Sequence, residues 1–239
     1  MTFKAVLWDQ GEKDAHATNS TYYSTEIVTM IKGWRAAFEL PSLPFFYVEL
    51  CTEYGAVEPK EADFWMAQRA ALQLPYTGFA TTTDIERAIH PPDKMDVAKR
   101  LLLEVQRVAY ALPVVSRGPE LVSVSSRALD DSNSDGGATR PMVELTLTFS
   151  NSTLTTHEGI YVGKPGVCKT PPIVQRTNSS RAAVPYTIAG GTIVVNCTPA
   201  PSGVEYNHSV LVNSDTATCF VYGPSGLPAP PVEVVCATA

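Results

Sequence analysis

Apolar positions follow one pattern up to about residue 112 and another after it. In the first part, short continuous apolar runs predict buried strands: residues 4–8, 45–50 and 78–83. Between and after them, apolar residues recur at helical spacing and predict helices: residues 20–38, 61–74 and 93–112. Strands that alternate with helices predict parallel strands joined by right-handed crossovers. Three strands are fewer than the about five of a typical sheet, so we expect part of an α/β domain.

After residue 113 the helical periodicity stops, and short β-prone stretches lie between clusters of Gly, Pro, Ser and Asn. These stretches are residues 121–126, 142–149, 184–188, 192–196, 209–213, 218–222 and 232–235. Short strands with turn signals between them are typical of an antiparallel sandwich. We therefore predict two domains, a partial α/β domain over residues 1–112 and a mostly β, sandwich-like domain over residues 113–239.

Composition excludes two classes of function. The 239 residues are 44% hydrophobic and carry a net charge of -6, whereas a nucleic-acid partner would require a basic face. No run approaches the roughly 18 apolar residues of a membrane-spanning helix. We therefore expect neither a nucleic-acid partner nor a membrane span.

Glycosylation sequons and cysteines indicate the secretory pathway. Asn-X-Ser/Thr triplets make five asparagines candidate glycosylation sites: Asn19, Asn151, Asn178, Asn196 and Asn207. Four cysteines in the second half could form two disulfides, with a fifth, Cys51, left as a buried thiol: Cys168, Cys197, Cys219 and Cys236. We expect the complete protein to be secreted or lysosomal. The first residues do not form a signal peptide, so we also expect that an upstream segment is missing.

Chemistry-bearing side chains follow the third predicted strand. Asp84 comes at its end, and His90 lies on a loop that Pro91 and Pro92 hold rigid ahead of the next helix. A carboxylate at a strand end and a histidine on the following loop lie where α/β sheets place their chemistry. The alternative is that His90 only caps the helix and Asp84 only starts a turn.

Other polar segments have simpler interpretations. Residues 9–15 are predicted to form a polar loop, and the charges from Lys94 to Arg100 a solvated helix face. Aromatic residues at helical spacing are predicted to be core rather than the lining of a sugar pocket: Trp34, Phe38, Phe64 and Trp65. No Cys-X-X-Cys pair occurs, and we predict no metal site and no cofactor.

Three blocks of sequence resemble one family. Residues 4–12 (KAVLWDQGE), 89–94 (IHPPDK) and 225–231 (SGLPAPP) are similar, in this order, to blocks of the sialate O-acetylesterases, a branch of the SGNH/GDSL hydrolases. The resemblance implies a flavodoxin-like, three-layer SGNH domain with parallel strands. It also implies hydrolysis of acetyl esters on sialic acids or related sugars by a serine nucleophile.

The resemblance also implies roles for individual residues. His90 would be the general base, and Asp84 would orient its ring as the third member of a triad does. Gln10, Gly11 and Glu12 would shape the substrate pocket and the oxyanion site.

The sequence departs from the family at the nucleophile. No Gly-Asp-Ser block occurs in the 239 residues, and the nearest imitation, residues 223–226, is predicted to be a turn. An aspartate, Asp14, occupies the position of the family's asparagine donor. Arg87 stands three residues before His90, where many SGNH enzymes have an acid. We therefore keep two alternatives open: a catalytically inactive remnant that binds carbohydrate or a partner through its β-rich part, and an esterase for another acetylated sugar such as xylan.

A partial sheet has an unpaired edge strand, through which two chains can associate. The free edge of the strand at residues 4–8 exposes backbone donors and acceptors that can pair with another chain. We expect residues 1–239 to express poorly or to dimerise through this edge, which size-exclusion chromatography with light scattering would detect. A monodisperse monomer that melts cooperatively would contradict this prediction.

Overall fold

The computed structural model describes most of the chain: residues 3–16, 21–50, 60–85, 94–129, 142–150, 153–158, 172–177, 181–199, 209–213 and 219–237. Contacts divide the protein into two compact units, and the chain passes from the first to the second between Arg117 and Gly118. The predicted fold class is confirmed: an α/β part with parallel strands precedes a mostly antiparallel β part. No helix in the described part of the chain is long and apolar enough to cross a membrane.

In the first unit strands and helices alternate along the chain. Its elements are β1 (Val6–Trp8), α1 (Glu12–His16), α2 (Thr21–Ala37), β2 (Phe45–Glu49), α3 (Lys60–Gln68), a 3-10 helix (Arg69–Gln73), β3 (Thr77–Thr81), α4 (Met95–Glu104) and a π-helical turn (Val105–Ala109). The described strands pair in parallel in the order β1-β2-β3. Their carboxyl ends therefore lie side by side at one edge of the sheet.

Alternation along β2 explains the layers of this unit. Phe45 and Tyr47 point to one face and pack against residues of α2 and α3, including Ile27. Phe46 and Val48 point to the other face and pack with Val97 and Leu101 of α4. Successive side chains of a strand point to opposite faces, so an apolar run without polar residues requires helices on both sides. The three-layer arrangement expected from the resemblance is present.

The prediction of a loop at residues 9–15 is wrong in its second half, because α1 begins at Glu12. Gly11, directly before α1, has a φ of 137°, which turns the chain between β1 and α1. A Cβ at this position would lie 2.5 Å from Phe64 Cζ, so both the backbone angle and the space favour glycine. The Ala15 amide donates to the Gly11 carbonyl at 2.8 Å, and Ala15 is buried in the core. This burial stabilises a helix that is too short to form alone.

The second unit consists of strands: β4 (Leu121–Leu129), β5 (Met142–Phe149), β6 (Thr155–Glu158), β7 (Ile173–Arg176), β8 (Arg181–Ala183), β9 (Tyr186–Ala189), β10 (Thr192–Cys197), β11 (Ser209–Val212), β12 (Cys219–Tyr222) and β13 (Val232–Val235). They form sheets in the orders β4-β5-β10-β9, β13-β11-β7-β8 and β12-β6. One apolar cluster contains residues from the two larger sheets. Such a shared core is the packing expected of a sandwich.

Three of these strands were not predicted: β6, β7 and β8. Each has at most four residues and carries polar or charged side chains, so its own sequence shows little β pattern. In the folded protein β6 pairs with β12, β7 pairs with β11, and β8 pairs with β7. The backbone hydrogen bonds of this pairing stabilise strands whose own sequences favour the β conformation only weakly.

One of the expected disulfides is present, between Cys197 at the end of β10 and Cys236 after β13. Both cysteines are buried in the core of the second unit. Cys51, Cys168 and the side chain of Cys219 lie outside the described residues.

The motif at residues 225–231 continues the turn after β12. The Gly226 amide donates to the Gly223 carbonyl at 3.1 Å, so the predicted turn is confirmed. Asn213, fully buried, donates from its side-chain amide to the Ala229 carbonyl at 2.6 Å and accepts the Val221 amide at 2.7 Å. These bonds give the motif a structural role in this unit.

Candidate active site

The carboxyl edge of the parallel sheet gathers the polar residues predicted from the sequence. Trp8 lies opposite Tyr47, and Glu49 lies opposite Thr81, so all three strands end close together. The chain continues from β1 into residues 9–12 and from β3 into residues 82–84. In open α/β sheets this edge is where ligands bind.

Asp84 is held at this edge by a buried ion pair with Arg100 of α4. Arg100 donates from Nη1 to Asp84 Oδ1 at 2.5 Å and from Nη2 to Oδ2 at 2.8 Å. The same Nη1 donates to the Thr81 carbonyl at the end of β3, at 2.6 Å. The Asp84 side chain is 0% exposed and that of Arg100 7%. The bidentate geometry fixes the direction of the carboxylate as well as its place.

The prediction that Arg100 belongs to a solvated helix face is wrong. Arg100 and Glu104 lie in phase with the buried Val97 and Leu101 of α4. Spacings of three and four residues place all four side chains on one face of the helix. Charged residues at core positions of an amphipathic helix were therefore the signal that sequence reasoning missed. Lys99, on another face, is exposed as predicted, and it pairs with Asp96.

The role of Asp84 as the partner of His90 stays a prediction, because His90 lies outside the described residues. An ionised carboxylate has about four lone-pair sites, and the bidentate contact with Arg100 occupies two of them. Arg100 thus fixes the orientation of Asp84 through two of these sites.

Gln10 and Asp14 are joined to each other beside the first strand end. Gln10 Nε2 donates to Asp14 Oδ2 at 2.7 Å, and the Tyr23 hydroxyl donates to Gln10 Oε1 at 3.2 Å. Burial raises the pKa of Tyr23 to about 12, and nearby carboxylates add to the effect. The hydroxyl is therefore protonated at neutral pH and acts as a donor. Asp14, at the family's donor position, accepts a hydrogen bond here. The proposed pocket roles of Gln10, Gly11 and Glu12 remain predictions.

A second set of buried charges surrounds Phe79 of β3. Glu49 accepts from Arg69 Nε at 2.7 Å, and Glu104 accepts from Arg117 Nε at 2.8 Å. The guanidinium carbons of Arg69 and Arg117 lie 5.5 Å and 4.6 Å from the centre of the Phe79 ring. These distances allow cation–π attraction in addition to the ion pairs. Two buried carboxylates with half-buried arginine partners thus lie beside β3, although nothing in the strand itself predicts them.

Glu49 is the most perturbed acid of this set. Its carboxyl group is fully buried, and among the described residues Oε2 has no hydrogen-bond partner. Burial raises the pKa of Glu49, and the smaller opposing effect of Arg69 only partly offsets it. The protonated form is therefore favoured more than in water.

Two of the aromatic residues predicted to be core are buried, Phe64 and Trp65, whereas Phe38 is 45% exposed.

Of the candidate glycosylation sites, Asn196 is half-buried in β10. The other four lie outside the described residues: Asn19, Asn151, Asn178 and Asn207. In the described part of the chain, no three His, Cys, Asp or Glu side chains are grouped as metal ligands.

Comparison with known proteins supports the family predicted from the sequence. Residues 1–97 match the family model described as carbohydrate esterase, sialic acid-specific acetylesterase. The sialate O-acetylesterase of Rattus norvegicus is 33% identical over 133 residues, which cover 46% of this chain and 24% of that protein. That of Homo sapiens is 29% identical over 133 residues, covering 46% of this chain and 25% of that protein.

A solved structure agrees with these matches. The crystal structure of a carbohydrate acetylesterase from Xanthomonas citri has a TM-score of 0.71 and 26% identity, covering 97% of this chain and 50% of that chain. The chain is therefore a relative of the carbohydrate esterases. Within that class, the resemblance to the sialate O-acetylesterases is confirmed. The chain spans about half of the Xanthomonas chain, and its match spans about a quarter of the curated relatives.

Replacing Arg100 with Gln should destabilise the first unit strongly. The variant leaves Asp84 buried without its ionic partner, and breaking a buried pair in this way costs about 3–5 kcal/mol of unfolding free energy. Urea denaturation at neutral pH measures the loss. The matched control is Lys99→Gln on the same helix, whose exposed ion pair contributes less than about 1 kcal/mol. A loss of under about 1 kcal/mol for Arg100→Gln would show that the pair is not needed.

Replacing Glu49 with Gln should change how stability depends on pH. Because burial raises the folded-state pKa of Glu49 above its usual 4.5, the folded protein keeps a proton that the unfolded chain has lost. This contribution to stability is complete below about pH 4.5 and is lost as the pH rises through the folded-state pKa. Urea titrations at several pH values should show wild-type stability declining relative to Glu49→Gln above about pH 4.5. A difference that is constant, or that grows in favour of wild type, would refute the burial argument.

Proposed function

We propose that this chain supplies the histidine-bearing part of a carbohydrate O-acetylesterase that removes O-acetyl groups from sialic acids or related sugars. One observation carries the proposal. Within residues 1–97, which match the family model, Asp84 is buried and fixed at the carboxyl edge of the sheet. His90 follows six residues later in the sequence.

The proposed reaction is acyl transfer in two steps. A serine hydroxyl attacks the acetyl carbonyl, and His90 takes the serine proton. The tetrahedral intermediate expels the sugar hydroxyl, which receives that proton from His90 and leaves an acetyl-serine. A water molecule, deprotonated by His90, then hydrolyses the acetyl-serine to acetate and regenerates the serine.

The serine itself is assigned to sequence outside these 239 residues. They contain no Gly-Asp-Ser triplet, and the solved relative of similar fold is twice as long as the region it shares with this chain. Gln10, Gly11 and Glu12 would line the pocket beside the first strand end. A histidine without a nucleophile has nothing to activate, so we expect no acetylesterase activity from these residues alone.

Arg100 supports the proposed role of Asp84 physically. A buried carboxylate that orients a histidine must stay ionised and must not rotate. The paired guanidinium supplies the compensating charge and two fixed hydrogen bonds, at 2.5 Å and 2.8 Å. His90 would thus face an acceptor of defined direction.

The substrate class rests on the family alone, and the location of the protein rests on the family and on features of the chain. O-acetylated sialic acid is the first candidate because the curated relatives are sialate O-acetylesterases. Another acetylated sugar remains the alternative, because specificity depends on pocket contacts and not on fold. A secreted or lysosomal location fits the sequons and the disulfide between Cys197 and Cys236.

A non-catalytic role is the second candidate. It is favoured by the lack of a Gly-Asp-Ser triplet in these 239 residues and by Asp14, which accepts the Gln10 amide where the family has a donor. In that case the β-rich second unit would bind carbohydrate or a partner, and the histidine would have no catalytic task.

Acetate release by the protein encoded by the full-length transcript tests the proposal. With O-acetylated sialic acid as substrate, His90→Ala should lower kcat by about 10³-fold or more, because the general base is lost. Asp84→Asn should lower kcat with KM little changed, since it alters the orientation and charge of the partner rather than substrate binding. Lys99→Gln is the control and should leave both constants unchanged.

Two results would overturn the proposal. One is full activity of His90→Ala. The other is no acetate release from acetylated sialic acid or acetylated xylan by a folded wild-type protein, which would favour the non-catalytic role.

A further inference from the structure

The outward face of the sheet β4-β5-β10-β9 carries a pocket that the esterase proposal does not use. Along β5 and β10 apolar side chains alternate inward, including Leu145 and Val195, while Glu144 and Asn196 point outward. A pocket of about 210 Å³ opens on this outward side. Its lining residues are Glu144, Pro185, Tyr186, Thr187, Val194 and Asn196.

Strand register brings the polar side chains of the pocket together. Asn196 lies directly opposite Glu144, and Val194 lies directly opposite Thr187. Side chains at directly opposed positions have Cβ atoms about 4.5–5.5 Å apart. A carboxylate, an amide and a hydroxyl therefore converge around an aliphatic side chain on a rigid sheet.

These polar groups are available to a ligand. Arg127 donates to Glu144 only at Oε1, from Nη2 at 2.9 Å and from Nε at 3.2 Å. Within the described part of the chain, Glu144 Oε2 and the side chains of Thr187 and Asn196 make no hydrogen bond. The pocket thus offers a strong acceptor, an amide that both donates and accepts, and a hydroxyl group.

Size and charge define the class of ligand. The pocket is smaller than the about 300–1,000 Å³ of pockets for drug-sized molecules, so it suits a single ring. The Glu144 carboxylate lines the pocket and disfavours an anion there, whereas Arg127 contacts only Oε1 and does not line the pocket, so it offsets this charge only in part. Neighbouring hydroxyls of a sugar can donate to a carboxylate and exchange hydrogen bonds with an amide, while the C–H face of the ring contacts Val194.

We propose that this pocket binds one neutral pyranose ring, a hexose or an N-acetylhexosamine. The ring is that of a free glycan; because Asn196-Cys197-Thr198 is a sequon, a glycan linked to Asn196 would take the place of a free ring here. The proposal does not depend on acetylesterase activity, since all of its residues belong to the second unit.

Binding is tested on the full chain produced in bacteria, which carries no glycan. Titration with N-acetylglucosamine, followed by amide NMR shifts, should move the signals of Thr187, Val194 and Asn196. Glu144→Ala and Asn196→Ala should each weaken binding at least about fivefold, because each removes a hydrogen bond worth about 1 kcal/mol or more. Thr148→Val is the control, because Thr148 lies on the same outward face of β5, opposite Thr192, and does not line the pocket.

A charge comparison sharpens the test. N-acetylneuraminic acid, which is anionic, should bind more weakly than N-acetylglucosamine to wild type, and Glu144→Ala should reduce this difference. The proposal is overturned if N-acetylglucosamine moves no pocket signal, if the shifts persist unchanged in both alanine variants, or if the anionic sugar binds more tightly to wild type.

The source of the ring is read from the protein made in secretory cells. Mass spectrometry of the peptide that contains Asn196 shows whether it carries a glycan. Given binding in the bacterial protein, an unmodified peptide leaves a free glycan as the ligand, whereas a modified peptide shows that the linked glycan blocks the Asn196 amide from a free one.

Discussion

The buried ion pair between Asp84 and Arg100 is the constraint on which the candidate active site depends. A charge in the interior is tolerated only where an opposite charge and hydrogen bonds replace the lost water. Arg100 meets this requirement with two bonds to Asp84 and one to the Thr81 carbonyl. The pair joins the end of β3 to α4, so the position of the strand end and the direction of the carboxylate are set together.

The same requirement shapes the rest of β3. Glu104 fills the space above Gly78, where any Cβ would clash with its carboxylate. Arg117 reaches from Glu104 to the ring of Phe79, and Arg69 approaches the same ring while pairing with Glu49. All five residues of β3 are buried, whereas Leu7 of β1 is 59% exposed. Of the two strands at the ends of the described sheet, β3 is therefore enclosed by charged side chains and β1 is the more accessible.

The two units suggest two separate kinds of chemistry. The first places a fixed carboxylate at the carboxyl edge of a parallel sheet, which suits acyl transfer once a nucleophile is supplied. The second presents hydrogen-bonding groups on the outer face of an antiparallel sheet, which suits recognition of a sugar rather than a reaction.

The sequence alone determined the elements that depend on local pattern. Apolar runs and helical spacing predicted β1 to β3 and α2 to α4, and three short blocks predicted the family. Tertiary structure decided which charges are buried, because Arg100 finds its partner sixteen residues away and its helix shows only that a charge lies at a core position. It also decided the short strands β6 and β7, which pair with the distant β12 and β11, and it placed Asn196 opposite Glu144 of the distant β5.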